Sequence, residues 1–129
     1  MATLFTRIVN GEIPCYKVAE NDKFLAFLDI QPLVKGHVLV IPKIEVDYLF
    51  DLEDDLLADM IIFSKNIAKQ IKTAFTCKKV GLTVIGLEVP HAHIHLVPIN
   101  TMSDINFTSP KLVLEKEEFD DIVSRIINS

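Results

Sequence analysis

The chain has 129 residues, half of them hydrophobic, with 13 basic against 18 acidic side chains for a formal net charge of -5; that size supports one domain with one sizeable core, and only four Gly and six Pro exclude a chain too loose to pack. The acidic balance argues against a nucleic-acid scaffold, which would present a basic face, yet leaves room for a mononucleotide site, which needs only a few local donors. Cys15 and Cys77 stand far apart with no CxxC, so no disulfide framework is expected, and with neither a leader-like N-terminus nor a long apolar run the expected setting is cytoplasmic, with no membrane partner.

Phe5 to Ile8 precedes the turn at Asn10-Gly11 and reads as a short helical turn or extended arm. Tyr16 to Glu20 and Lys23 to Leu28 flank the turn Asn21-Asp22 and predict a hairpin. His37 to Ile41 is an apolar, β-branched run expected as a central strand, ended by Pro42. The stretch between, Asp29 to Gly36, is then a loop between strands, a common place for binding residues. Asp54 to Phe75 predicts one long helix. Leu56, Met60, Phe63, Ile67 and Ile71 form its apolar stripe, and acidic residues at its start and basic ones toward its end suit the helix dipole. Gly81 to Ile85 predicts a strand, Gly86 to Pro90 a link, and His91 to Val97 a further strand closed by Pro98. A polar loop from Asn100 to Pro110 follows, then a short strand or arm over Lys111 to Leu114. Glu115 to Ile127 predicts a terminal helix with Phe119, Ile122, Val123 and Ile126 on one face. The order implies an α+β domain, an antiparallel sheet with helices packed on it.

Three of the four histidines fall within five residues, His91-Ala92-His93-Ile94-His95. A strand's side-chain period of two sets His91, His93 and His95 on one face and Ala92, Ile94 and Leu96 on the other, into the core. Two chemistries fit. A neutral imidazole, with a pKa of about 6.5, is available as a nucleophile toward phosphorus once its second nitrogen is held protonated by an acceptor. Alternatively, two histidines two apart on a strand chelate zinc, with His37 completing the site. The residues alone leave these two readings open.

The run His91-Ala92-His93-Ile94-His95-Leu96-Val97 resembles the signature of the histidine triad (HIT) family, His-φ-His-φ-His-φ-φ with φ apolar. The resemblance extends to the opening segment Phe5 to Pro14, to Ala26-Phe27-Leu28-Asp29-Ile30-Gln31-Pro32, and to Gly36 to Lys43 with a fourth family histidine at His37. It covers about residues 4 to 99 and is nearest to the phosphoramidase-like branch. It implies one HIT domain over 1–129 with an arm and short helix from 100 to 129, a nucleotide hydrolase acting on nucleoside phosphoramidates or adenylate conjugates, and a homodimer. His93 would be the nucleophile, with its ring oriented by the carbonyl of His91. His95 would contact the α-phosphate or bridging atom, and His37 would join His91 in a supporting network. Asp29 would accept from the ribose hydroxyls of an AMP-type purine nucleotide, and Phe5, Ile8, Ile30 and Leu39 would line the base pocket. The family's chemistry needs no cofactor and no metal, which sets zinc aside.

The segment before the triad departs from the family pattern. Leu87 and Glu88 stand where a Gln and a hydroxyl residue are expected near phosphate and leaving group, the link is short, and no Asn ends the preceding strand. A carboxylate at Glu88 would repel a phosphate unless protonated or turned away. Glu45 replaces a His that often follows the Pro-Lys pair. Dinucleoside polyphosphate hydrolysis or nucleotidyl transfer by the same mechanism, and non-catalytic nucleotide binding, are the alternative functions.

Overall fold

A computed structural model describes residues 2–129. Helix α1 (Leu4–Val9) leads into strands β1 (Lys17–Glu20), β2 (Phe24–Leu28) and β3 (Val38–Pro42). Helix α2 (Asp54–Ala74), strands β4 (Lys79–Thr83) and β5 (Ile94–Ile99), and helix α3 (Lys116–Ile127) complete the order. The five strands form one antiparallel sheet in the order β1-β2-β3-β5-β4. This is the α+β architecture expected, an antiparallel sheet with one long helix and one short C-terminal helix.

Alternation along the strands divides the apolar residues between two faces. Phe24, Ala26, Leu28, Val38, Val40, Ile94 and Leu96 pack with Met60, Ile67 and Ile71 of α2 and Phe119, Ile122 and Ile126 of α3. The intervening Leu25, Phe27, Leu39 and Ile41 face the other way, where Phe5 of α1 covers them. Helix α1 is short, and its start is secured by Thr3, whose hydroxyl accepts from the Thr6 N–H at 3.1 Å. The bulk of the core therefore lies beneath α2 and α3, and the α1 side of the sheet is left thinly covered.

Three boundaries differ from the sequence expectation. The last strand begins at Ile94, not His91, because the His91 and Ala92 amides bond to the carbonyls of Val89 and Val46 rather than to a neighbouring strand. Strand β4 starts at Lys79 and ends at Thr83 opposite His95, so Val84 and Ile85 have no ladder to join. Pro42 is the last residue of β3, as expected, whereas Pro98 lies within β5 instead of closing it. Pairing of β3 with β5 spans only Val38 to Val40 against Leu96 to Ile94, so each proline has one strand neighbour and its missing N–H breaks no ladder. Lys111 to Leu114 is an extended arm, pinned by the Leu112 N–H to the Pro32 carbonyl at 2.8 Å.

Candidate active site

The alternation expected for the histidines survives although only His95 of the three lies in a regular strand. Ala92, Ile94 and Leu96 are in the core beneath α2. On the opposite face Phe5 packs edge-on against His91 and His93, and the rings of His93 and His95 meet at 4.9 Å. The register sets His95 beside Leu39 of β3 and Thr83 of β4. All four histidines are buried.

The hydrogen bonds fix what each ring nitrogen carries. The Nδ1 of His93 lies 2.7 Å from the carbonyl oxygen of His91. A carbonyl only accepts, so in the neutral ring Nδ1 bears the proton and Nε2 keeps its lone pair. His93 lines the cavity beside it. Among the described residues no buried side-chain nitrogen or oxygen lacks a partner, and His93 Nε2 has no protein partner, so that lone pair opens onto the cavity.

His95 is set the opposite way by a relay. The Leu33 N–H donates to His37 Nδ1 at 3.1 Å, leaving the proton of His37 on Nε2. That Nε2 donates to His95 Nδ1 at 3.0 Å. His95 therefore carries its proton on Nε2, which has no protein partner and faces the cavity as a donor. Burial first, with nearby positive charge second, pulls His37 down to about 4 and His95 to about 3, so both are neutral at pH 7. His37 thus joins His95, not His91 as the resemblance implied.

His91 is occupied on both sides. Its Nε2 donates to the Pro42 carbonyl at 2.8 Å, and its Nδ1 accepts from the Thr3 hydroxyl at 2.9 Å. The Pro42 carbonyl is free for this because β3 has no partner on that side there. Burial, chiefly, lowers the His91 pKa. Thr3 and Thr6 are steadied by Glu45, which accepts from the Thr3 N–H at 2.7 Å and the Thr6 hydroxyl at 2.6 Å. The side chain of His91 ties α1 to the sheet, and its backbone carbonyl sets His93. Nothing in the sequence marked Thr3, Thr6 or Glu45 as partners of this ring, since the bonds join positions 39 to 88 residues apart.

The cavity holds about 550 Å³, the size of a small-molecule site. Phe5, Ile8, Ile30 and Leu39 line it, as do Asp29 and Glu88. Asp29 is partly buried rather than exposed. Its Oδ1 accepts from the Gln31 N–H at 2.9 Å, an Asx turn that shapes the loop, and Oδ2 lies 3.6 Å from His37 Nε2 with no hydrogen bond of its own. Burial, above all, raises its pKa. Gly86, with φ +72, turns the chain after β4, and beyond it Leu87 is 89% exposed while the carbonyl side of the loop returns toward His91. Two lining residues escaped the sequence reading altogether: Phe107, whose ring stands edge-on to His95 at 4.7 Å, and Lys111. They sit in the polar tail, and no local pattern marks them.

The zinc reading fares poorly on these bonds. Among the described residues, the ligand-type atoms that come close enough for a metal belong to Asp29, His37 and His95, all within 4.8 Å of one another, and not to the triad itself. Metal on His37 Nε2 would move its proton to Nδ1, where it would confront the Leu33 N–H, donor against donor. The site as hydrogen-bonded requires no metal.

A description of the HIT domain matches residues 10–102. The chain belongs to the HIT domain family. An uncharacterized HIT-like protein of Borreliella burgdorferi is 35% identical over 131 residues, covering 95% of this chain and 94% of its own. The adenosine 5'-monophosphoramidase HNT1 of Saccharomyces cerevisiae is 38% identical over 98 residues, 75% of this chain and 62% of that protein. The crystal structure of a HIT-like protein involved in cell-cycle regulation from Bartonella henselae superposes with a TM-score of 0.85 at 29% identity, covering 98% of this chain and 95% of that one.

Proposed function

We propose that this HIT protein, one domain over residues 1–129, hydrolyses nucleoside phosphoramidates or related adenylate conjugates through a nucleotidyl intermediate on His93. The observation that carries the reading is the fixed tautomer of His93, with Nδ1–H locked to the His91 carbonyl and Nε2 open to a cavity. Attack by Nε2 on phosphorus forms an N–P bond and breaks the bond to the leaving amine, which takes up a proton from solvent. The ring then bears positive charge, met by the His91 carbonyl dipole. Water next attacks phosphorus, the N–P bond to His93 breaks, and the nucleoside monophosphate leaves. Dividing one displacement into two is the advantage of covalent catalysis.

His95 supports both steps by donating its Nε2–H to a phosphoryl or bridging oxygen or nitrogen. With a pKa of about 3 it acts as a neutral donor, not as an acid. His37 holds that orientation, and His91 holds His93. Phe5, Ile8, Ile30 and Leu39 receive a purine base, and the free Oδ2 of Asp29 accepts from ribose. Glu88 lies on the leaving-group wall, where a carboxylate favours a departing amine over a polyphosphate. The names of the yeast relatives, adenosine 5'-monophosphoramidases, support the same class of substrate.

The reading includes a cytoplasmic homodimer. No described helix is long and apolar enough to cross a membrane. Strand β4 is a sheet edge, and Leu82, Val84 and Ile85 are exposed in and just after it, apolar side chains of the kind that pairing covers. Light scattering at micromolar concentration should give twice 14.6 kDa; the mass of one chain contradicts the dimer. The function itself is tested by a panel of adenosine phosphoramidate, diadenosine polyphosphates and nucleotide sugars, with and without chelator. Chelator-insensitive turnover, fastest on the phosphoramidate, is expected, and hydrolysis confined to the polyphosphates would overturn the substrate class.

A further inference from the structure

The cavity has an unbalanced wall. Asp29 and Glu88 bring two carboxylates to it, while His93 and His95 bring imidazoles, the second of them neutral. A nucleotide adds a further anion at the phosphoryl group. Among the described residues lining the cavity, Lys111 is the one cation. It comes from the C-terminal arm, beyond the matched residues 10–102.

The arm is built to hold that charge in place. Phe107 lies against His95 and, at 6.0 Å, against His37, so the arm is seated on the same pair of rings that presents the His95 donor. Four residues on, the Lys111 ammonium turns back over the Phe107 ring at 5.7 Å. It donates to the Phe107 carbonyl at 2.7 Å and to that of Ser109 at 3.3 Å. The next residue is tied to Pro32 in the β2–β3 loop. An ammonium has three protons, so one remains for a ligand. Its positive charge is already felt across the site, favouring the ionised form of Asp29 and the neutral forms of His37 and His95.

Building on the nucleotide reading above, we propose that Lys111 is the phosphate-binding residue of this site. The C-terminal arm then forms part of the active site: Phe107 seats it on His95, and Lys111 neutralises the phosphoryl oxygens that Asp29 and Glu88 would otherwise repel. Specificity for a phosphorylated nucleoside over the bare nucleoside resides largely in this one side chain.

The test is calorimetric titration of AMP and of adenosine into the wild-type protein, Lys111→Met and Lys111→Arg. Lys111→Met keeps the length that packs over Phe107 and removes the charge. It should weaken AMP by about 10- to 100-fold, as for one charge-assisted hydrogen bond, and leave adenosine unchanged. Lys111→Arg should restore most of the AMP affinity, and raising salt should erode AMP binding by the wild type more than by Lys111→Met. Equal weakening of AMP and adenosine would reduce Lys111 to a strut of the arm and overturn the proposal, as would unchanged AMP binding. A wild type that forms a nucleotidyl adduct on His93 yet binds AMP no better than adenosine defeats this proposal alone. A wild type that forms no adduct and binds neither ligand defeats the catalytic reading with it.

Discussion

Ile94 and Leu96 are sealed against α2 and α3, whereas one residue away His93 and His95 turn their rings to a cavity under a single short helix. One face stabilises through close packing of apolar volume. The other spends its few contacts fixing protons: every histidine there has at least one ring nitrogen committed to a named partner. A five-residue segment can thus carry chemistry without giving up stability, because the backbone alternation assigns each task to a different side.

Substitutions on the two faces should separate cleanly. The largest effect is expected for His93→Ala. Turnover should fall by on the order of 10^4-fold or more, while urea unfolding and AMP binding stay near those of the wild type, since the strand bonds come from the backbone. Ile94→Ala, its neighbour on the other face, should do the reverse. It should cost about 2–5 kcal/mol of stability from the cavity left under α2, read by denaturant titration, with turnover per folded molecule little changed. If Ile94→Ala abolished activity in fully folded protein, the two faces would not be independent.

Proton linkage sharpens the same contrast. His37 and His95 are held at about 4 and about 3, below the 6.5 of the unfolded chain. Between those limits the unfolded chain binds more protons, so stability is whole above about pH 6.5 and declines as pH falls through that window, by at most two protons per molecule. His37→Asn should remove about one proton from the slope of unfolding free energy against pH. An unchanged slope would mean that the buried relay does not exclude protons. A smaller effect, about 1.5–3 kcal/mol, is expected for Asp29→Asn on ribonucleotide affinity, with 2'-deoxyribonucleotides much less affected. Equal losses would leave Asp29 with the Gln31 turn as its only role.

The sequence disclosed what depends on local period. The alternation Ala92, Ile94, Leu96 against His91, His93, His95, the stripe of α2 and the hairpin of β1 with β2 were all legible, and the structure bears them out in faces if not in endpoints. The strand boundary at Ile94 was not, because it depends on Val89 and Val46 offering carbonyls to His91 and Ala92, respectively. The partnership of His37 with His95 is likewise set by β3–β5 register across 58 residues. Lys111 and Phe107 had no signal at all, since a polar tail reads the same whether it is solvated or folded over a site. Proton positions were the least legible of all: they emerge only when each ring is seen against a carbonyl, an amide or another ring.

In the proposed mechanism His93 Nε2 is the atom that takes the nucleotidyl group. Rapid quench of the wild type with an activated adenylate, followed by peptide mass spectrometry, tests it directly. One adenylyl group is expected, on the peptide containing His93 and localised to that ring, absent from His93→Ala. An adduct on His91, His95 or any other residue, or the same adduct in folded His93→Ala, would contradict it.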